Sequence, residues 1–294
     1  MATLLGFSAV LMWSLLALLT ARSGTVPPLQ MNAMTFAVGT AVGLVALAWR
    51  RVPLTIFRQK PSVWLLGVGG LFGYHALYFA ALRAAPAVEA SLINYLWPLL
   101  IVLGSAALPG EKLRWYHGLG ALLGLAGAIL VIAGRGTIDF SPEHALGYAF
   151  ALGAALFWSS YSLLSRRFGH VPSEVVAGFC LATSILSLFA HWTFEETVWP
   201  ATSGEWLAIL GLGLMPVGGA FYVWDYAVKH GDIQLVGAMA YGAPLLSTLL
   251  LIAAGESAMT SAIVIAALLV TAGACLAALP VFRRVLRRAK PAAE

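Results

Sequence analysis

Polar and aromatic side chains gather in this chain where long apolar segments would ordinarily hold aliphatic ones. Trp13 and Ser14 share the first such segment, and Trp158, Ser159, Ser160 and Tyr161 share the sixth. Tyr74, His75 and Tyr78 stand in the third, Asn94, Tyr95 and Trp97 in the fourth, and Tyr241 in the ninth. Tyr and Trp rings each pair a flat apolar face with one polar tip that wants a partner. Tyr74 and Tyr78 are four apart, His75 and Tyr78 three, Asn94 and Trp97 three, separations that place side chains on one face of a helix. The chemistry these types can do is recognition rather than bond making. Flat walls with a few hydrogen-bonding tips suit a small solute with an aromatic or bulky apolar body and a polar end. Taken singly, each residue also reads as glue between packed helices; as a set at matched depth they read as the wall of a cavity.

Motifs that carry catalysis are missing. The chain holds no HExxH spacing, no glycine loop ahead of a phosphate-binding Lys and no GxSxG elbow. We therefore expect no enzyme, no metal and no cofactor. Among the segment centres His75 is the one imidazole, able to titrate near neutrality or to donate a hydrogen bond while neutral. Glu89 and Asp225 fall near segment ends, as rim residues. No Lys or Arg occupies a centre, so a strongly anionic solute has no counter-charge and a net-neutral one fits better. Pro98, Pro216 and Pro244 interrupt their segments, with hinge or gate roles and plain kinking both open for Pro98 and Pro244. Gly118, Gly120, Gly124 and Gly127 give the fifth segment a small face, for packing within a bundle or for a dimer.

The elements that position these groups follow from composition. Of 294 residues 61% are hydrophobic and 10% charged, and the mean hydropathy is +0.88. A soluble domain carries roughly 25% charged residues, so most of this surface must face lipid. Only helices and closed barrels satisfy the backbone there, and the continuous Ala-, Leu- and Gly-rich runs are helical. Cutting at charges, Pro and turn residues gives ten spans: 3–22, 29–49, 62–83, 87–108, 114–134, 145–165, 174–193, 204–228, 233–254 and 260–281. The first lacks the positive leader of a signal peptide and reads as a membrane helix. Cys180 and Cys275 lie in apolar runs, as small buried hydrophobes. Trp49, Trp64, Trp115, Trp192, Trp199 and Trp206 fall near span ends, as an interfacial belt.

Orientation follows the basic residues. With both termini in the cytoplasm, the inner side holds Arg50, Arg51, Arg58, Lys60, Lys112, Arg114, Arg166, Arg167, Lys229 and the tail residues Arg283, Arg284, Arg287, Arg288 and Lys290. The outer side holds Arg22, Arg83 and Arg135, which accounts for all 17.

A shift of 146 residues lays Tyr95 on Tyr241, Pro98-Leu99-Leu100 on Pro244-Leu245-Leu246, Gly73 on Gly219 and Ala81-Leu82-Arg83 on Ala227-Val228-Lys229. At 145, Trp13-Ser14 meets Trp158-Ser159. The chain then divides into 1–137 and 138–294, the second with the basic tail. Five spans per half is an odd number, so the halves are inverted, a build common among transporters with a site near the midplane.

Ten spans in two inverted halves resemble the drug/metabolite transporter superfamily, EamA family. Ile93-Asn94-Tyr95-Leu96-Trp97-Pro98 with Gly110-Glu111-Lys112 is similar to the YddG-type aromatic amino acid exporters; Trp13-Ser14, Trp158 and the His230-Gly231 turn fit the same group. Asp225 departs from the neutral residue expected beside Trp224. The resemblance implies export of aromatic amino acids and similar neutral solutes from the bacterial cytoplasm by alternating access, as a monomer in the inner membrane. It implies a cavity built from spans 1, 3, 4, 6, 8 and 9 and lined by Trp13, Tyr74, His75, Tyr78, Asn94, Tyr95, Trp97, Trp158 and Tyr241. The rings would stack on the substrate; Asn94, His75 and the Tyr hydroxyls would meet its amino and carboxylate groups. The alternative is a broader exporter of hydrophobic cations, which calls for a deep carboxylate.

Overall fold

Helix ends in this chain are set by local chemistry. Pro28 and Pro61 open two helices at a position where the missing N–H has no partner to lose. Thr202 Oγ1 accepts the Glu205 N–H at 3.2 Å, Asp232 Oδ1 the Leu235 N–H at 3.0 Å and Thr260 Oγ1 the Ile263 N–H at 3.4 Å. In the computed structural model, which describes residues 1–134, 136, 138–255 and 258–279, these caps bound long helices. They are α1 (Ala2–Ala21), α2 (Pro28–Trp49), α3 (Pro61–Ala84), α4 (Ala87–Ala107), α5 (Trp115–Ala133), α6 (Ala145–Ser165), α7 (Ser173–Phe194), α8 (Ser203–His230), α9 (Ile233–Ala253) and α10 (Ser261–Ala277). Eight of them, all but α6 and α10, are long and apolar enough to cross a membrane by length and composition. α6 and α10 fall where the sixth and tenth spans were expected. No strand occurs among the described residues. The chain is an all-α, multi-pass membrane protein. Arg135 and the basic tail, counted above for orientation, lie outside the described residues.

Helices of the first five pack on helices of the last five: α1 on α8, α2 on α7, α3 on α6, α4 on α6 and α9, and α5 on α10. The α5–α10 crossing explains the glycine face. A Cβ on Gly120 would lie 2.7 Å from the Gly273 carbonyl, and one on Gly273 would lie 3.0 Å from the Gly124 nitrogen. Gly120, Gly124 and Gly127 serve packing inside the bundle, whereas a Cβ on Gly118 would meet nothing within 4 Å.

One end of the bundle carries Met1 and the α2–α3, α4–α5, α6–α7 and α8–α9 connections; we call it the basic end. Here Arg50 bonds Glu174 at 2.6 Å, and Thr3 Oγ1 accepts the Asp232 N–H at 3.1 Å. Gly110 takes φ +82°, a turn only glycine makes without strain, and the next residue, Glu111, meets Arg166. Arg166 also donates to the carbonyls of Val228 and Gly231. At the opposite end Glu195 accepts from the Leu29 and Gln30 N–H groups at 3.0 and 3.1 Å, from Arg83 at 2.7 Å and from His191 Nδ1 at 3.0 Å. It caps α2 and ties it to α3 and α7.

Several expectations from the sequence change here. Lys229 belongs to the last turn of α8 rather than a loop, and Asp225 is buried rather than on a rim. The two bond each other, because α8 continues to His230 and its last turn is walled by neighbouring segments. Glu89 is also buried, held by the Tyr148 hydroxyl and by the Asp139 N–H at 2.7 Å. Trp64, in the first turn of α3, packs on Phe179 at a ring separation of 5.5 Å. Both cysteines are free thiols, Cys180 buried and Cys275 exposed.

Candidate functional site

The helices are broken where the bundle centre needs side chains aimed inward. Pro98 cannot donate to the Asn94 carbonyl, and α4 interrupts its regular turns at Tyr95 and Leu96 before resuming at Trp97. α9 interrupts at Ala240 and Tyr241, and Pro244 lies in the first turn after the break. Pro98 and Pro244 thus start helical segments, where Pro is well tolerated. α3 and α8 each contain one π-helical turn, at Gly69–Gly73 and Met215–Gly219. Such turns carry an extra residue and often mark functional positions. The same offset of 146 residues separates the two π turns.

Eight of the nine candidate residues surround one chamber of about 140 Å³: Trp13, Tyr74, His75, Tyr78, Asn94, Tyr95, Trp97 and Trp158. Leu16, Pro216, Val217, Phe221 and Ala243 complete the wall. A second space of about 490 Å³ shares Trp13, Leu16, Tyr78, Tyr95 and Ala243 with it and reaches Thr20, Ala87 and Val88, at the end opposite the basic end. The chamber therefore continues into a vestibule on that side. Tyr241 does not line it. That ring is fully buried against Val102, Ala121 and Ala128, over Gly124. The break in α9 turns Tyr241 toward α5 and leaves Ala243 on the chamber wall.

On the basic side the chamber ends on four tryptophans. Trp13, Trp97, Trp158 and Trp224 come from α1, α4, α6 and α8, and every pair of these rings lies between 4.9 and 6.3 Å apart. Trp13 Nε1 donates to the Pro216 carbonyl in the α8 π turn at 3.0 Å, and Trp224 Nε1 to Ser162 Oγ at 3.0 Å. Below this floor the Asp225 carboxylate accepts from the Tyr161 hydroxyl, Ser173 Oγ and Lys229 Nζ at 2.9, 2.6 and 2.6 Å.

The polar tips of the wall are few. Asn94 Nδ2 donates to the Tyr74 hydroxyl at 3.2 Å, while Asn94 Oδ1 is buried with no partner among the described residues. The Tyr78 hydroxyl pairs with Ser91 Oγ at 3.0 Å, and Tyr74 and Tyr78 stack at 6.0 Å. His75 Nδ1 donates to the Leu71 carbonyl at 2.7 Å, which leaves Nε2 as an acceptor. Its ring meets Phe36 and Phe221 at 5.2 and 6.0 Å, both near perpendicular. Among the described residues no carboxylate, Lys or Arg is part of the wall. Such a site can hold a ring between rings and hydrogen-bond a neutral or zwitterionic tip.

Phe221 and Trp224 were not among the candidates from the sequence. The offset of 146 residues points to them: Phe221 stands 146 residues after His75, and Trp224 stands 146 after Tyr78. Pro216 enters through a backbone carbonyl, for which sequence holds no signal beyond the Pro itself.

The sequence profile described as the EamA-like transporter family matches residues 1–133 and 145–279. The aromatic amino acid exporter YddG of Ancylobacter novellus is 54% identical over 279 residues, covering 95% of this chain and 97% of that protein. The protein of the same name from Salmonella typhimurium is 26% identical over 85% of this chain and 87% of its own. A crystal structure with 54% sequence identity matches with a TM-score of 0.92 over 95% of this chain and 97% of its own.

Proposed function

This chain belongs to the EamA-like transporter family, and from that premise we propose that it exports aromatic amino acids and similar neutral solutes through the ring-walled chamber by alternating access. The observation that carries the substrate class is the wall itself. Aromatic rings from Trp13, Tyr74, Tyr78, Trp97 and Trp158 stand around an uncharged space, and Asn94 Oδ1 is a buried acceptor without a partner among the described residues. A buried acceptor left unpaired costs free energy until a donor arrives. The α-ammonium of an amino acid is such a donor. The His75 and Tyr tips would meet the carboxylate, and the substrate ring would lie among the wall rings.

In this reading the ten helices are ten spans in two inverted halves, 1–137 and 138–294, acting as a monomer. The basic end faces the cytoplasm of a bacterial inner membrane, so both termini are cytoplasmic. The chamber is open to the outside and sealed inward by the four tryptophans. Two observations support the repeat: the π turns of α3 and α8 and the breaks of α4 and α9 recur at the offset that aligns the sequence halves.

Liposome reconstitution tests the proposal. Saturable flux of labelled Trp, Phe or Tyr is the expected result, weakened by Trp97→Ala and Tyr78→Ala in folded protein. Absence of saturable flux for all three sinks it. The reading as an exporter of hydrophobic cations calls for a carboxylate in the wall, and Glu89 and Asp225 both lie off it; dye efflux lost in Glu89→Gln would reinstate that reading.

A further inference from the structure

Applied to the chamber, the repeat offset pairs residues that now occupy opposite ends of it. Trp224 closes the basic side, and its counterpart 146 residues earlier is Tyr78, at the junction of chamber and vestibule. Trp97 corresponds to Ala243, since Pro98 aligns with Pro244. Trp13 and Trp158 correspond to each other at 145. At that same offset Ser162, which accepts the Trp224 indole N–H, corresponds to Ala17 on the vestibule wall. Thr20, exposed in the vestibule, corresponds to Ser165, buried at the basic end. The two ends of the pathway are thus equivalent in sequence position and opposite in state, which is what an inverted repeat caught open on one side requires.

We propose that Tyr78 is the outer gate. When the chamber turns toward the basic end, Tyr78 closes over Trp13 and Trp158 as Trp224 does now. The inference rests on the transport reading above and adds an asymmetry to it. The inner seal is a tetrad in which every indole meets the other three, and Trp224 is anchored on Ser162. The outer seal is a triad of Tyr78, Trp13 and Trp158, with Ala243 where Trp97 would stand and Ala17 where Ser162 would stand. Two indoles fewer, and without a counterpart of the Ser162 anchor, the outer seal is the weaker of the two. The form open to the outside is therefore the resting form, and Ala243 sets that preference.

The test is side-specific labelling of a full-length chain reconstituted in liposomes. Cys180 and Cys275 are replaced, and one reporter is added, Thr20→Cys or Ser165→Cys. A membrane-impermeant maleimide is applied from either side, and labelled Trp flux is followed in the same preparations. In the parent protein Thr20→Cys reacts readily from the vestibule side and Ser165→Cys is protected. Adding Ala243→Trp should slow the Thr20→Cys reaction about tenfold and speed the Ser165→Cys reaction from the basic side, because the added indole packs on the other rings only when the outer seal is closed. If Thr20→Cys slows while Ser165→Cys stays as protected as before, the indole is a plug and the gate proposal fails. Trp97→Ala is the converse variant and should speed Ser165→Cys labelling about tenfold by loosening the inner seal. Unchanged protection in Trp97→Ala also overturns the proposal, and this variant decides if Ala243→Trp does not fold. Reciprocal shifts in labelling without flux of any aromatic amino acid would uphold the gate and remove the substrate reading.

Discussion

Asp225 and Lys229 stand one turn apart on α8 with their charges 2.6 Å apart and their side chains 1% and 4% exposed. The carboxylate is further held by Tyr161 and Ser173, and Lys229 Nζ donates to the Val171 carbonyl at 3.0 Å. This cluster joins the last turn of α8 to α6 and to the start of α7, directly beneath Trp224. Removing one partner of a buried pair leaves the other charge uncompensated, at about 3–5 kcal/mol. Lys229→Met should lower the thermal unfolding midpoint of detergent-solubilised protein sharply. The double variant Asp225→Asn/Lys229→Met, with no charge left over, should be the more stable of the two. Equal midpoints for all three proteins would show that the pair carries no such load.

Asn94 tests the proposed substrate site rather than stability. Its Oδ1 has no partner among the described residues, so Asn94→Leu breaks no bond there to that atom and loses only the one to Tyr74. In transport it should raise KM for Trp by roughly ten- to a hundredfold, the worth of a hydrogen bond to a charged group at about 1.5–3 kcal/mol. A KM equal to that of the parent protein would take Asn94 out of the site.

Glu195 is the corresponding tie at the far end. It satisfies two N–H groups at the start of α2 and the charge of Arg83. Glu195→Ala should cost about 3 kcal/mol through the charged hydrogen bonds lost. Glu195→Gln, which keeps an acceptor for the helix start, should fall between. Chemical unfolding monitored by Trp fluorescence gives the order; an alanine variant as stable as the parent contradicts the assignment.

The α5–α10 crossing discriminates between glycines inside and outside it. Nothing lies within 4 Å of a Cβ added to Gly118, whereas a Cβ on Gly273 meets the Gly120 carbonyl at 2.5 Å. Gly118→Ala should be neutral. Gly273→Val should separate the two helices, because the obstacle is backbone that cannot rotate away, and should reduce the yield of monodisperse protein. Equal yields would mean the crossing is looser than described.

Much of the architecture was legible in the residue order. The long apolar runs and the Pro and Thr or Asp positions at helix starts are local signals, and the helices begin and end within a few residues of where those signals place them. The aromatic set at mid-depth was legible too, because Trp13, Tyr74, Trp97 and Trp158 are of types that lipid does not favour so deep. What the order could not supply was direction. In water an amphipathic stripe tells which face of a helix turns inward. In lipid both faces are apolar, so the stripe vanishes and only packing decides. Packing turned Tyr241 onto Gly124 and away from the chamber, brought Phe221 and Trp224 into it, and buried Glu89, Asp225 and Lys229 in bonds to residues tens of positions away. It also decided which end of the chamber stands open: Thr20 is exposed on the vestibule wall and Ser165 is buried at the basic end only once the helices are assembled.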